Sequence, residues 1–483
     1  MYTAKFLKEE ISMRKTKIVC TIGPASESEE ALRGLCKAGM NVARLNFSHG
    51  THEDHLNRIN RIKKVRSELE LPIAIMLDTK GPEYRIKTFE EGKINLSDGD
   101  KFTFTADEVI GNAERVSVSY PELPRELSAG DTILLNNGLM SFRVDNIEGN
   151  DINCTVEIGG ELSDRKSMSF PGKVMKQTYL SEQDKADIAF GIANDVDYIA
   201  CSFVSCKQDM IDVHEYLKEI NANNDVELIA KIENQSGFDN IEEICDFCDG
   251  IMVARGDMGV EVPFDRLPGI QKKLITKCRM LGKRVITATE MLESMIHNPR
   301  PTRAEISDVA NAVYDGTSAI MLSGETAAGK YPTKSVEIMA RIAETTEENI
   351  HYNKRFHNAE FKIKNAVDAI SHSTCGMAID IEAKAIVACS LSGTTARMVS
   401  RFRPSVPIIG LTTDEKTWRR LSLSWGVIPA MCEKFSSTDV LFYTAKKIAK
   451  FTLSLRNGDR IIITGGDTTG KSGNTNILKV EEI

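Results

Sequence analysis

No excess of positive charge marks this chain: 61 lysines and arginines face 69 aspartates and glutamates across 483 residues, a formal net charge of -8. Without a long basic stretch to neutralise phosphates, nucleic acid is not an expected partner. No apolar run reaches the length of a membrane span. Met1 to Lys17 mixes lysine and glutamate with single apolar residues, where a signal peptide would carry an unbroken apolar core. The expectation is a cytoplasmic protein with no membrane partner. A disulfide framework is missing too. The eleven cysteines are an odd count, scattered through apolar segments such as Ile199-Ala200-Cys201, where reduced buried thiols are expected. Cys245 and Cys248 form a lone C-x-x-C without a second pair at zinc spacing, so structural filling is their expected role. His49, His52 and His55 recur every third residue at an expected helix start, which reads as a solvated first turn rather than a metal cluster.

With 41% hydrophobic and 27% charged residues, the chain falls among globular proteins, and its length exceeds what one core sustains, so two or three domains are expected. Eight short apolar runs alternate with helix-like amphipathic stretches: Lys17 to Cys20, Val42 to Leu45, Ile73 to Leu77, Tyr198 to Cys201, Val226 to Ala230, Gly250 to Ala254, Val285 to Ala288, and Ala319 to Leu322. Eight such units predict an α/β fold, a closed (β/α)8 barrel of the TIM type. The gap between the third and fourth runs is far too long for one βα unit. From Tyr84 to Pro171 it carries strand patterns such as Lys101 to Thr105 and a hairpin signal at Asn137-Gly138, which reads as an inserted small β-barrel or sandwich. Connections near Gly81-Pro82 and Pro171-Gly172 would let that insert act as a lid. After about residue 350 a different pattern of runs predicts an open, mostly parallel α/β sheet. The expected domains are 1–82 and 172–350 for the barrel, 83–171 for the lid, and 351–483 for a C-terminal effector and oligomerisation domain.

Active sites of such barrels lie where the strands exit, so the residues leaving each run matter. They are Thr21; Arg44, Asn46 and Ser48; Asp78 and Thr79; Ser202; Lys231 and Glu233; Arg255 and Asp257; Thr287 and Thr289; Ser323 and Glu325. Any one polar strand end is most simply a solvated residue. Together, a glutamate and an aspartate from neighbouring strands can chelate one hard cation while a lysine faces the same anionic substrate. Near the C-terminus, Gly465 to Ser472 fits the P-loop pattern, but it is followed only by a closing-strand pattern, Asn476 to Val480, so a nucleotide P-loop is rejected. Lys471 can still face a phosphate held by Ser390, Ser392, Gly393, Thr394 and Thr395, a loop placed between a strand and a helix; a plain capped turn is the simpler reading of that loop.

Long motifs then carry a resemblance. Lys17 to Ser26, Gly39 to Gly50, Leu77 to Glu83, Ala230 to Asn234, Met252 to Asp257, Ile286 to Thr289, Pro299 to Glu305 and Met321 to Ala327 occur in order, and through them the chain resembles the pyruvate kinase family over nearly its whole length. The resemblance implies phosphoryl transfer from phosphoenolpyruvate to ADP, giving pyruvate and ATP, usually in a homotetramer with a sugar-phosphate or nucleotide effector. It implies Glu233 and Asp257 as ligands of Mg²⁺ (or Mn²⁺), and Asn46, Ser48, Asp78 and Thr79 as a K⁺ site, with Glu83 where a lysine can replace the ion in similar enzymes. Lys231 and Arg44 would hold the phosphoryl group, and Gly256, Asp257 and Thr289 the carboxylate. His49, Arg85 and Lys166, with Asn46, would lie near the nucleotide, and Thr289 and Ser323 would belong to the proton relay, with Glu325 behind them. The chain departs from the family pattern at Asn136-Asn137-Gly138, where an acidic pair is common, at Glu290 in place of glutamine, at Ser318 in place of an acid, and at Leu391, where some sugar-phosphate-regulated relatives have lysine. A barrel lyase or aldolase, and a binding protein without turnover, are the rival readings.

Overall fold

The computed structural model describes residues 13–173, 175–222, 225–435, 437–466 and 475–483. Eight parallel strands close a barrel: β1 (Lys17–Thr21), β2 (Val42–Asn46), β3 (Ala74–Asp78), β4 (Tyr198–Cys201), β5 (Glu227–Ile232), β6 (Gly250–Ala254), β7 (Arg284–Ala288) and β8 (Ala319–Leu322). Each pairs with its neighbours in sequence, and β8 returns to β1. Their residues are buried almost throughout, because helices cover the outside while side chains fill the inside. Val19, Met76, Tyr198, Ile229, Met252, Ile286 and Met321 pack that interior, and Leu423 from the C-terminal region plugs its floor. Helices follow the strands with strong start signals; Thr51 with Asp54, Ser181 with Asp184 and Thr302 with Glu305 each form a capping box.

Two strands run further than their apolar patterns. β5 extends through Lys231 and Ile232, which stay paired with Met252 and Val253 of β6, and β3 extends to Asp78, opposite Asn46 of β2. Lys231 and Asp78 are therefore inside the barrel mouth rather than on loops above it. Their charges cancel there, and that removes the cost which ends a strand pattern at a polar residue.

Between β3 and β4 a seven-stranded sheet and a two-stranded ladder (Lys93–Leu96 with Gly160–Ser163) surround a core of their own that includes Phe102, Phe104 and Phe142. Its two connections differ. Gly81 has φ 68° and donates its N–H to Asp184 Oδ1 at 3.0 Å, and a Cβ there would lie 2.8 Å from that of Ser202. Gly172 also has a positive φ, 76°, but has open space around it. The first connection is thus pinned to the barrel, while the glycine of the second has room around it. The C-terminal sheet is parallel over Ala385–Cys389, Ile408–Thr412, Val427–Met431 and Arg460–Gly465, and closes with Ile477–Glu482 antiparallel to the last. No described helix is long and apolar enough to cross a membrane.

Candidate active site

At the barrel mouth two cations and two carboxylates interlock. Asp78, fully buried, accepts Arg44 Nε at 2.6 Å on one oxygen and Lys231 Nζ at 3.0 Å on the other. Lys231 Nζ also donates to Ser202 Oγ at 2.7 Å and lies 3.1 Å from Glu233 Oε1. Burial opposes the Lys231 ammonium, but Asp78 and Glu233 outweigh it and hold its pKa above the ordinary lysine value. Arg44 gives its other arm to Thr21 Oγ1 at 2.9 Å, which fixes the guanidinium plane across the mouth.

Glu233 is 0% exposed. Its Oε2 accepts the Phe203 N–H at 2.6 Å, while the enclosed Oε1 accepts no aligned hydrogen bond and has the Lys231 ammonium at 3.1 Å as its ion-pair partner. Burial, with Asp257 and Asp78 adding negative charge, raises its carboxyl to about 7 against the pull of Lys231. Asp257 stands exposed in the first turn of the helix Arg255–Glu261 that leaves β6 directly. Among the described residues no three His, Cys, Asp or Glu side chains converge on a metal position. A buried carboxylate oxygen that accepts no aligned hydrogen bond, with a second carboxylate near enough to raise its pKa, fits an ion that keeps few protein ligands. Mg²⁺ is such an ion, because it is usually held by one or two carboxylates and completed by substrate oxygens.

The opposite wall is built on strained backbone. Thr289 and Glu290 have φ of 67° and 54°, the left-handed region that a β-branched residue rarely adopts. Arg255 holds them there, donating Nη2 to the carbonyls of Thr289 at 2.6 Å and Glu290 at 3.0 Å while Nη1 pairs with Asp308 at 2.6 Å. Arg255 is therefore a clamp, a role that its place at a strand exit does not reveal. The Glu290 side chain is exposed. The Gly256 N–H donates to Thr289 Oγ1 at 2.8 Å, and that hydroxyl donates to Ala288 O at 2.6 Å. A carboxylate arriving here would exchange for the first of these bonds. Ser323 Oγ is buried without a partner. Glu325 accepts the Ser323 and Leu292 N–H groups at 2.7 and 3.0 Å, so it sets the backbone of the Ser323 turn.

The structure sets Asn46 beside Asp78 across β2 and β3, with Thr79 buried next to them and Ser48 exposed, its N–H on Asn46 Oδ1 at 3.1 Å. Arg85 pairs with Glu83 and donates to Arg165 O at 2.5 Å, and Lys166 precedes the strand that pairs with Arg85. His49 accepts His55 Nε2 through its carbonyl at 3.0 Å. His55 stacks on Phe47, and His52 meets Asp187 at 2.6 Å, which gives both rings packing roles. In the C-terminal domain, Gly393 (φ 77°) leads into the helix Thr394–Ser400; Ser392 Oγ meets Thr394 Oγ1 at 3.0 Å, Ser390 Oγ accepts the Thr395 N–H at 3.4 Å, and Thr395 Oγ1 meets Thr475 Oγ1 at 2.7 Å. Lys471 lies outside the described residues.

Sequence reasoning passed over three supports of this site: the Ser202 hydroxyl under Lys231, the Phe203 amide on Glu233, and Thr21 behind Arg44. Ser202 and Thr21 are at strand exits; Phe203, a non-glycine residue at φ 57°, carries no signal in its sequence neighbourhood.

A closed parallel barrel with lysine, arginine and two acidic side chains at its mouth, and a separate β domain inserted after the third strand, is the architecture of a barrel phosphotransferase. Family models bear this out: "Pyruvate kinase, barrel domain" matches residues 13–336 and "Pyruvate kinase, alpha/beta domain" matches residues 368–481. The chain is 46% identical over 475 residues to the pyruvate kinase of Clostridium acetobutylicum, covering 98% of this chain and 100% of that one. It is 48% identical over 471 residues to that of Staphylococcus aureus, covering 97% and 80%. A crystal structure of a pyruvate kinase from Cryptosporidium parvum superposes with a TM-score of 0.92 at 38% identity, covering 97% of this chain and 96% of the other. The chain belongs to the pyruvate kinase family.

Proposed function

We propose that the chain transfers the phosphoryl group of phosphoenolpyruvate to ADP, forming pyruvate and ATP, with Mg²⁺ (or Mn²⁺) on Glu233 and Asp257. The observation that carries this reading is the buried Oε1 of Glu233, which accepts no aligned hydrogen bond and is paired in charge with the Lys231 ammonium at 3.1 Å. When bound, the divalent ion neutralises the phosphoryl and carboxylate oxygens of the substrate. Lys231 follows the phosphoryl group in flight, and Arg44 holds it as a planar fork, so orientation and charge stabilisation supply most of the rate. The Gly256 and Asp257 amides with Thr289 orient the carboxylate. The enol left behind takes a proton at carbon, with the Thr289 and Ser323 hydroxyls as relay members. K⁺ held by Asn46, Ser48, Asp78 and Thr79 would supply positive charge beside the nucleotide phosphates, with Lys166 reaching in from the lid and Arg85 and His49 nearby. The Glu83–Arg85 pair leaves no lysine there to replace the ion.

The domain limits 1–82, 83–171, 172–350 and 351–483 are part of this reading, as are a cytoplasmic homotetramer and an effector, a sugar phosphate or a nucleotide, at Ser390–Thr395. Coupling pyruvate formation to a reporter, with ADP, phosphoenolpyruvate and Mg²⁺ in K⁺ or in tetramethylammonium, tests the assignment. ATP formation that needs Mg²⁺ and falls steeply without K⁺ is expected. Cleavage of a 2-keto acid without ATP would replace it by a lyase, and equal rates in both salts would remove the K⁺ site.

A further inference from the structure

On the floor side of the barrel, away from the mouth, a cavity of about 600 Å³ opens beside the helices Leu267–Met280, Arg303–Asp315 and Tyr352–His357. Arg279, Tyr314, His351, Lys354 and Arg355 face it, and among the described residues Glu360 is the one acidic side chain lining it. Arg279 is 9% exposed, yet its guanidinium makes no hydrogen bond or ion pair among the described residues, and its Nε is fully enclosed without an acceptor. The charged group that bears on it most is Arg355, of like sign, which adds to burial in lowering its pKa. Arg355 and Lys354 are themselves unpaired among the described residues.

A third guanidinium lies behind them. Arg403, buried, donates to Ser400 O at 2.7 Å, Gly316 O at 3.0 Å and Ser318 Oγ at 3.1 Å, and both Arg279 and Arg355 act on it as like charges. Arg279 and Arg403 meet at Gly316: a Cβ built there would sit 3.4 Å from Arg279 Nη1, and its carbonyl is the one Arg403 holds. A cation in the last turn of a helix is favoured by the helix dipole, which accounts for an arginine at position 279. It does not account for enclosing the Nε–H without an acceptor, and a buried donor left unpaired costs about 1–3 kcal/mol. An anion with several acceptor oxygens would satisfy the fork and relieve the repulsion together.

We propose that this cavity is a binding site for a small phosphorylated metabolite, its phosphate on Arg279 and Arg355 and its organic part along Tyr314, whose side is 43% exposed. The site is separate from the Ser390–Thr395 loop and does not depend on the reaction assigned to the barrel mouth. Calorimetric titration of the full chain without Mg²⁺, using inorganic phosphate and ribose 5-phosphate as probes, tests it. Binding of ribose 5-phosphate is expected to weaken about tenfold or more in Arg355→Gln and in Arg279→Met, and to persist in a Ser392→Ala, Thr394→Ala double variant. If Arg279→Met fails to fold, Arg355→Gln decides, because Arg355 is only partly buried. Absence of binding to the unmodified chain, equal binding by both arginine variants, or loss confined to the loop variant would overturn the proposal. So would arginine variants that change the assembly size in solution without changing phosphate binding, since a carboxylate of a second copy would then be what the guanidiniums meet.

Discussion

At the floor of the barrel Asp197 accepts Arg419 Nε at 2.7 Å and the Ile75 N–H at 2.8 Å, and Glu227 divides its oxygens between Arg284 at 2.8 Å and Arg397 at 3.2 Å. At the mouth, Glu233 is buried as deeply, yet one of its oxygens accepts no aligned hydrogen bond and shares the Lys231 ammonium with Asp78. Both ends concentrate charge in a low-dielectric interior, where an unmatched group is costly. The floor closes its pairs across the boundary with the C-terminal domain and so joins two domains. The mouth leaves acceptor capacity that only a ligand from outside can fill. A buried charge therefore signals a joint when its partners are complete and a site when they are not, and Arg279 follows the same rule with the opposite sign.

The sharpest way to break this contrast is Lys231→Met at the mouth. Turnover is expected to fall about 10³-fold while Mg²⁺-dependent substrate binding survives, read from kcat and from equilibrium binding; near-normal kcat would make Lys231 a structural ion. At the floor, Asp197→Ala leaves Arg419 and Arg66 without their shared carboxylate and should lower stability by about 3–5 kcal/mol in urea unfolding. Turnover at low temperature should stay within a few-fold, and a large loss of kcat with normal stability would erase the distinction between the two ends. Glu233→Gln keeps the shape but weakens the cation site. Affinity for Mn²⁺, followed by its electron paramagnetic resonance signal, should drop roughly ten- to a hundredfold, and unchanged affinity would move the metal elsewhere.

The smallest effect concerns Lys17 at the floor, whose Nζ donates to Val427 O at 2.7 Å and, among the described residues, to no other acceptor, and whose pKa burial pushes down to about 7. The folded chain then holds fewer protons than the unfolded one between about pH 7 and the ordinary 10.5, so this lysine's contribution to stability improves as pH rises through that window. Lys17→Met should be more stable than the unmodified protein at pH 7, with the gap closing towards pH 10. A gap independent of pH would mean that packing, not charge, sets the cost.

Much of the barrel is legible in the chain, because strands covered on both faces read as short apolar runs and the exits of those runs are where polar residues collect. Arg44, Asp78, Lys231, Glu233 and Asp257 were all found that way, and the structure places them around one mouth. What the same reasoning leaves open is direction. Arg255 reads only as a residue at the exit of β6, with no direction assigned, and it turns outward to Asp308 and to the carbonyls of Thr289 and Glu290. Lys231 reads as a residue beyond its strand yet belongs to it. Pattern gives position along an element, whereas the partner that neutralises a charge comes from another strand and is far away in sequence, as Asp78 is from Lys231.

The sequence by itself determined the number and order of barrel strands, the place of the insertion, and which residue types stand at each exit, since these follow from local periodicity and turn chemistry. Tertiary structure alone decided which of those groups are satisfied. Glu233 Oε1 is left without an aligned hydrogen bond, Asp197 is enclosed by Arg419 and the Ile75 amide, and Arg279 Nε is enclosed without an acceptor. Hydrogen bonding and burial are properties of what surrounds an atom, and those surroundings are assembled from segments that only folding brings together.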